Sequence, residues 1–392
     1  MRVRRGHVAL AGVAAGVALG VARRRARRAG AADGESRLGG LSGRPVTVTT
    51  DDGVQLAVDV DGAPESDLAI VFAHGWVLNR HSWHFQREAL RGEAELVLYD
   101  HRGHGGSAPG AYEDCSIERL GDDLAAVIEE TVPEGKRIIL VGHSMGGMTI
   151  MGLAASRPEL FGERVAGVAL LGTSCGELAG STFGFPGVLG RGVSAMTPRM
   201  FELMRARARL VERTPRVRSR TSLPVTRYTS FGPGADRRHV RFVNEMVSTT
   251  PVEVMVGFFH ALMAHDKRAA LKAFDTVETA IVVGERDRLT PPRHSRVIAE
   301  ALPNARLHVI PRAGHMIGLE RPELVNGVLR DLMARVRERA AANTGPGSQA
   351  PGETRTGTGA GAGTETGAGT ETGAGTETGA RAGAVGGEAL SA

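Results

Sequence analysis

The sequence predicts an α/β protein with a mostly parallel central sheet, helices on both faces and a helical cap insertion. Short apolar runs alternate with longer helical patterns in the middle of the chain, which is typical of a parallel sheet covered by helices. One long stretch, residues 175–251, breaks this alternation and carries no strand pattern. The two ends have unusual compositions, so the folded part is expected to be shorter than the chain.

The first two strands are predicted by two short runs in which apolar and polar residues alternate. Residues 46–49 and 54–58 flank the turn sequence Asp51-Asp52-Gly53 and predict an opening hairpin. The remaining apolar runs have few polar interruptions, as strands buried on both faces do. They cover residues 68–73, 95–99, 137–141, 165–171, 280–283 and 307–310, and helical patterns cover 116–130, 145–156 and 322–339.

The stretch 175–251 is rich in Arg, Met and Pro and is interpreted as a helical cap above the carboxyl edge of the sheet. Within it, residues 191–220 hold nine arginines against only Glu202 and Glu212, with methionines and leucines between them. If helical, this segment would form a basic amphipathic surface suited to anionic lipid headgroups. The alternative is an ordinary solvated face.

The two ends of the chain flank a folded domain predicted at residues 41–340. Residues 1–40 are interpreted as a basic and apolar leader or a short membrane anchor, since the apolar run 8–22 is shorter than the roughly 20 residues that span a bilayer. The arginines at 23–28 argue against a cleaved secretory signal. Residues 341–392 form a Gly, Ala, Thr and Glu tail that is predicted to be disordered, because it has too little apolar surface to bury.

The amino-acid composition limits which partners and which cellular location can be expected. The formal net charge is +5, the excess is nearly all arginine, and no basic patch with interleaved aromatic residues occurs, so nucleic-acid binding is not expected. Two cysteines form no disulfide framework. A cytoplasmic location is predicted, with membrane association through residues 8–22 as an open alternative.

The strongest chemical motif follows the strand at 137–141. It reads Gly142-His143-Ser144-Met145-Gly146 and precedes a helical pattern. This G-x-S-x-G sequence between a strand and a helix is typical of a nucleophile elbow, in which flanking glycines permit a strained turn that exposes the serine hydroxyl. The motif predicts Ser144 as a nucleophile.

A serine hydroxyl needs a base to take its proton, and the base needs an acid to orient it. His315 follows the last predicted strand, and Asp287 follows the strand before it, so both should lie at the same edge as Ser144. The order Ser, Asp, His agrees with this interpretation. Glu285 and Glu177 are the alternative candidates for the acid.

Two backbone N–H groups are predicted to stabilise the oxyanion. One belongs to Met145, directly after the nucleophile, and the other to Trp76 in the loop after residues 68–73. Gly75 would let this loop approach the substrate, and His74 and Gly75 are candidate pocket residues. The Trp76 indole is a candidate wall of the acyl pocket, with simple packing as the alternative.

Together these motifs, with Asp100-His101-Arg102-Gly103-His104-Gly105, resemble the α/β-hydrolase family over residues 46–339. More narrowly, they are similar to its cofactor-free, capped branch of esterases, monoacylglycerol lipases and perhydrolases. The resemblance implies that the segment from Asp100 to Gly105 is a structural loop beside the site. Epoxide hydrolases and dehalogenases of the family use an aspartate nucleophile, which Ser144 argues against. The His-Gly-Trp sequence departs from the His-Gly-Phe and His-Gly-Gly variants and leaves the pocket shape open.

The predicted function is therefore hydrolysis of small-molecule or lipid-like carboxylic esters through an acyl-enzyme, with no metal or organic cofactor. The same catalytic residues would also serve a thioesterase or a perhydrolase, because these differ in the pocket. A non-catalytic binding module on the same fold is the third alternative.

Overall fold

The computed structural model describes residues 37–344, except 180–183, 185 and 186. The predicted anchor at residues 8–22 and almost all of the predicted tail at 341–392 lie outside these residues, and both stay predictions. The predicted boundaries of the folded domain are likewise left as predictions.

Eight strands form one sheet, in the order β1-β2-β4-β3-β5-β6-β7-β8. β1 pairs with β2, and β2 with β4, in antiparallel fashion, while all other neighbours are parallel. The predicted fold class is therefore confirmed. The strands are β1 (Arg44–Thr49), β2 (Gln55–Gly62), β3 (Leu68–Ala73), β4 (Glu95–Tyr99), β5 (Arg137–His143), β6 (Val165–Leu171), β7 (Glu278–Gly284) and β8 (Arg306–Ile310).

Helices cover both faces of the sheet and fill the connection between β6 and β7. Those outside that connection are α1 (His84–Leu90), α2 (Ile117–Thr131), α3 (Met145–Ser156), the short α4 (Leu160–Glu163), α10 (Pro292–Ala301), α11 (Ile317–Glu320) and α12 (Pro322–Thr344). Those inside it are α5 (Gly187–Ala206), α6 (Ala208–Glu212), α7 (Pro215–Ser230), α8 (Arg237–Thr249) and α9 (Val252–Ala264). Short 3₁₀ segments occur at Arg80–Trp83, Tyr112–Asp114 and Arg268–Thr276.

The continuous apolar runs arise because each central strand supplies two cores. In β3, Leu68, Ile70 and Phe72 join one buried cluster, while Ala69, Val71 and Ala73 join the cluster on the opposite face. This alternation follows from the two-residue period of a strand. α2 and α3 cover one cluster and α12 covers the other, so every position of β3 is buried.

The parallel register brings the carboxyl ends of the central strands to one edge. Ala73 is level with Gly142, His143 with Leu171, and Gly284 with Ile310. The loops that follow β3, β5, β7 and β8 therefore start side by side. This is the edge at which ligands bind in open α/β sheets.

The helical insertion predicted between β6 and β7 is present, and its helices continue to Ala264. Within the described residues, no single helix has both the length and the apolar composition needed to cross a membrane. α8 and α9 meet these criteria only when taken together, across a bend of 101°.

The loop after β4 has the structural role that the resemblance implies. Asp100 accepts the backbone N–H of Arg80 at 2.7 Å and that of Gly106 at 2.8 Å. Gly105 has a φ of +53°, and a Cβ there would collide with the Asp100 carboxylate. These bonds fold the loop back on itself at the end of β4.

Arg102 ties the same loop to its surroundings by ion pairs. Its guanidinium donates to Asp123 at 2.6 Å and 2.7 Å and to Asp52 at 2.8 Å. The side chains of Arg102 and Asp123 are each only 1% exposed. Burial raises the pKa of Asp123, and the Arg102 guanidinium opposes that rise.

We expect Arg102→Met to destabilise the fold by about 3–5 kcal/mol, because Asp123 would be left buried without its counter-ion. Urea unfolding followed by circular dichroism measures the change. Arg137→Met is the control, since Arg137 pairs with Asp67 at the surface and such pairs contribute less than about 1 kcal/mol. Equal losses in the two variants would contradict the importance assigned to the buried pair.

Candidate active site

Ser144 lies on a strained turn between β5 and α3. Its φ of +53° and ψ of −116° are unusual for a residue with a side chain. A Cβ at Gly146 would collide with the backbone carbonyl of Ala73 in β3, and one at Gly142 would come within 2.6 Å of the Gly146 backbone. Both glycines of the motif are thus required by close backbone approach, and the turn leaves Ser144 partly exposed.

The backbone groups of Ser144 are held from two sides. Its N–H donates to Leu171 at the end of β6 at 2.9 Å. Its carbonyl accepts the N–H of Gly147 at 2.9 Å and the hydroxyl of Thr173 at 2.7 Å. The strained conformation is therefore fixed by the neighbouring strand as well as by α3.

His315 and Asp287 form a buried pair at the same edge. Asp287 Oδ2 lies 2.8 Å from His315 Nδ1, and the two side chains are 0% and 5% exposed, respectively. Because a carboxylate only accepts hydrogen bonds, Nδ1 carries the hydrogen and Nε2 is left to act as an acceptor. The carboxylate also accepts the N–H groups of Leu289 and Thr290, each at 2.9 Å.

The alternative acids are placed elsewhere. Glu285 is exposed, accepts the backbone N–H of Arg312 at 3.0 Å and pairs with Arg286. The side chain of Glu177 is 72% exposed and pairs with Arg268 at 2.9 Å. Asp287 is thus the candidate acid that the structure brings to His315.

The end of β6 brings Ser144 close to this pair. Gly172, next to the Leu171 carbonyl that holds Ser144, has a φ of +53°, and a Cβ there would lie 3.2 Å from Asp287 Oδ2 and 3.4 Å from His315 Nδ1. A side chain at this position would press on both members of the pair. Gly172 therefore lies against Asp287 and His315, and the residue before it, Leu171, holds the backbone of Ser144.

The residue before the candidate nucleophile, His143, links two of the loops. Its Nε2–H donates to the His315 carbonyl at 2.9 Å, and the two rings are 4.7 Å apart. Burial, and then the neighbouring His315, lower the pKa of His143 to about 3, so its ring stays neutral. A Cβ at Gly75 would come within 2.9 Å of His143 Nδ1.

The two candidate oxyanion donors stand on adjoining segments. Met145 is the first residue of α3, and the first N–H groups of a helix have no intrahelical acceptor. The next residue, Gly146, packs against the carbonyls of Ala73 and His74, directly before the Gly75-Trp76 loop. Two backbone segments with N–H groups to donate therefore meet beside Ser144.

The Trp76 indole is tied to the insertion. Its Nε1–H donates to the carbonyl of Met255 in α9 at 3.1 Å, and its ring lies 5.9 Å from Phe201 and 6.1 Å from Phe259. The loop of Gly75 and Trp76 is therefore held both by the sheet and by helices of the insertion.

His74 is fully buried and its ring bonds only to backbone groups. Nδ1–H donates to the Gly75 carbonyl at 2.8 Å, and Nε2 accepts the His101 N–H at 3.0 Å. His101 Nε2–H in turn donates to the His74 carbonyl at 2.9 Å. These bonds favour a positioning role, while the pocket role predicted for His74 and Gly75 stays a prediction.

Three supporting residues were not found by the sequence analysis: His143, Thr290 and Glu320. Thr290 Oγ lies 2.9 Å from Asp287 Oδ2 and 2.7 Å from the Gly172 carbonyl. The Glu320 carboxylate accepts the N–H of Gly314 at 2.9 Å and, from the insertion, that of Gly232 at 2.8 Å.

The three residues differ in how far the sequence alone could have identified them. His143 lies within the motif that identified Ser144, and Thr290 follows Asp287 by three residues, so their positions were visible but their roles were not. Glu320 follows His315 by five residues, and only the fold reveals its partner in the insertion. Within the described residues, no cluster of three or more His, Cys, Asp or Glu side chains has the arrangement of a metal site.

Comparisons with known proteins identify the family of the chain. Residues 70–328 match the model of the Alpha/beta hydrolase family. The pimeloyl-[acyl-carrier protein] methyl ester esterase of Yersinia pseudotuberculosis is 26% identical over 261 residues, which are 66% of this chain and 90% of that protein. The 3-oxoadipate enol-lactonase 1 of Acinetobacter baylyi is 31% identical over 116 residues, 30% of this chain and 42% of that protein.

Among solved structures, a thermophilic esterase from Thermogutta terrifontis superposes with a TM-score of 0.56 at 25% identity. The match covers 75% of this chain and 99% of that chain. The similarity therefore extends over nearly the whole length of that esterase.

Two buried histidines beside the site, His101 and His104, make the stability of the fold depend on pH. Burial lowers the pKa of His101 to about 3 and that of His104 to about 4. His101 Nδ1 and His104 Nε2 have no hydrogen-bond partner among the described residues, so a proton there would create an unpaired buried charge.

We expect acid to destabilise the protein between pH 6.5 and about 4, because the unfolded chain binds protons there that the folded chain does not. The stability that depends on these histidines being neutral is complete above pH 6.5, and it is lost as the pH falls towards their pKa in the folded state. Each such histidine adds a slope of about 1.4 kcal/mol per pH unit. Urea unfolding of His101→Gln at pH 7.5 and 5.0 should show a slope smaller by about one proton. An unchanged slope in His101→Gln would contradict the prediction.

Proposed function

Since the chain belongs to the α/β-hydrolase family, we propose that it hydrolyses carboxylic esters, with Ser144 as nucleophile, His315 as general base and Asp287 as the orienting acid. The observation that carries the proposal is the 2.8 Å contact of His315 with buried Asp287, at the same sheet edge as a serine held in a strained turn at a helix N-terminus. This combination is the arrangement that activates a serine for acyl transfer.

In the first half-reaction, Ser144 Oγ attacks the ester carbonyl carbon while His315 Nε2 takes the hydroxyl proton. Asp287 holds the Nδ1–H and stabilises the imidazolium that forms. The backbone N–H groups of Met145 and Trp76 donate to the oxyanion of the tetrahedral intermediate. The C–O bond to the alcohol then breaks, and the alcohol leaves with the proton from His315.

In the second half-reaction, His315 takes a proton from water, and the resulting hydroxide attacks the acyl-Ser144 carbonyl. A second tetrahedral intermediate collapses, the proton returns to Ser144 Oγ, and the carboxylic acid departs. These steps use only side chains and backbone groups of the chain.

Ester chemistry is supported by the names of the relatives, which include a methyl ester esterase and an enol-lactonase. Thioester cleavage and peracid formation would use the same three side chains and remain the alternative activities. A non-catalytic binding module is less well supported, since such a module would not need the buried Asp287–His315 pair. We propose a small or lipid-like ester as the substrate, and p-nitrophenyl esters of graded chain length would define its acyl group.

We expect Ser144→Ala to lower kcat for p-nitrophenyl acetate by about 10⁴- to 10⁶-fold, because the nucleophile is lost while the oxyanion donors remain. A fluorophosphonate probe should label the wild type but not this variant. Ser156→Ala, at the exposed end of α3, is the control and should keep both activity and labelling. Labelling or full turnover in Ser144→Ala would contradict the proposed nucleophile.

We expect Asp287→Asn to lower kcat by about 10⁴-fold, because the amide cannot hold the imidazole in the required tautomer. Circular dichroism should show that the variant is folded. Glu285→Gln and Glu177→Gln are matched controls. The first removes a carboxylate from the loop after β7, which also carries Asp287, and the second removes one from the loop after β6. Both variants should turn over near the wild-type rate. A severe loss in Glu177→Gln with activity kept in Asp287→Asn would reassign the acid.

A further inference from the structure

Exposed apolar side chains are concentrated on one part of the insertion. Nine large hydrophobic residues are exposed in the described part of the chain, and seven of them belong to α5, α6 and α7. We call the exposed side of these three helices the insertion face. Its apolar residues are Val188, Met196, Met200, Leu203, Leu210, Val217 and Val225.

α5 is apolar on two sides, which a surface helix does not need for folding alone. Phe201 is 8% exposed and packs 5.9 Å from Trp76 and 4.5 Å from Phe259. At about 100° per residue, Met196, Met200 and Leu203 share a different side of the helix, where they are 69%, 52% and 53% exposed. The inner side is thus satisfied by packing, and the outer side has no apolar partner among the described residues.

The insertion face is also strongly basic. Residues 187–225 contain nine arginines, no lysine and only two acidic residues. Both acids are already engaged, since Glu202 pairs with Arg205 and His260, and Glu212 accepts the N–H of Val252 at 3.0 Å. Exposed arginines interleave with the apolar residues at positions 191, 199, 207, 209, 213 and 220.

The combination of exposed apolar side chains and arginines limits which kind of partner could cover the insertion face. A second copy of the chain would bring two arginine-rich faces together, which like-charge repulsion opposes. A nucleic acid would pair with the arginines but gain little from exposed methionine, leucine and valine, and the seven exposed apolar residues of the face include no aromatic ring on which bases could stack. An anionic bilayer satisfies both components, with phosphates for the arginines and acyl chains for the apolar side chains.

We propose that the insertion face is a membrane-docking surface for bilayers that contain anionic phospholipids. Met196, Met200 and Leu203 enter the headgroup region, and the surrounding arginines contact lipid phosphates. The inner side of the same helix packs on Trp76, so docking sets the bilayer about one helix diameter, roughly 10 Å, from the loop beside Ser144. The docking itself does not depend on the proposed ester chemistry.

The test is sedimentation of the full chain with vesicles of phosphatidylcholine alone or mixed with phosphatidylglycerol, at about 0.1 M salt. The wild type should bind the mixed vesicles and bind pure phosphatidylcholine at least tenfold more weakly. Arg199→Gln/Arg207→Gln/Arg209→Gln should lower the partition coefficient for mixed vesicles by about 100-fold, since each basic residue near the surface contributes about fivefold. Met196→Ser/Met200→Ser/Leu203→Ser should lower it at least tenfold.

Matched controls change the same residue types elsewhere on the surface. They are Arg241→Gln/Arg293→Gln/Arg296→Gln for charge and Val309→Ser/Leu324→Ser for apolar exposure, and both should bind as the wild type does. Thermal unfolding should be the same in all variants, which separates lost docking from lost folding without reference to activity.

Three results would overturn the proposal. The first is no binding of the wild type to mixed vesicles. The second is equal binding by the wild type and both insertion-face variants, which would assign the binding to another part of the chain. The third is a dimer, seen by light scattering, that the apolar variant alone dissociates in the absence of vesicle binding, which would assign the face to a second copy.

Discussion

The close approach of α3 to the end of β3 is the contact on which the site depends. Gly146 packs on the Ala73 carbonyl with no room for a side chain, and this forces the turn that carries Ser144 into a positive φ. The same approach puts the N-terminus of α3 beside the Gly75-Trp76 loop. The strain at Ser144, of order 1–3 kcal/mol, persists because the Leu171 carbonyl and Thr173 hydroxyl hold the backbone from β6 and the loop that follows it.

The other half of the site is assembled from loops far apart in sequence. Asp287 and His315 are 28 positions apart and meet only because β7 and β8 are neighbours in parallel register. Their burial would be costly for an unpaired carboxylate, but Asp287 accepts two backbone N–H groups besides the imidazole. The rigid sheet therefore supplies the position of each group, and local hydrogen bonds supply its orientation.

The features that could be predicted from sequence are those with local signals. The strand–glycine–serine–glycine–helix pattern identified the turn at Ser144, and position after the last two strands identified Asp287 and His315 as candidates. The placement of β4 between β2 and β3 could not be predicted, because chain order does not specify sheet order. Nor could the contacts of Glu320 or the Trp76 bond to Met255, since each joins groups that only tertiary packing brings together.

The two hydrogen bonds of Glu320 have a mechanical consequence. One carboxylate bridges Gly232, at the α7–α8 junction, and Gly314, beside His315, and Met316 N–H donates to the Ser230 carbonyl at 3.0 Å in the same place. Moving that junction would break several backbone bonds at once and displace the histidine loop. α5, by contrast, contacts Trp76 through rings and α9 through the exposed Glu202–His260 pair, and ring contacts tolerate sliding far better than directed hydrogen bonds do. The position of the α7–α8 junction is thus coupled directly to the position of the histidine loop.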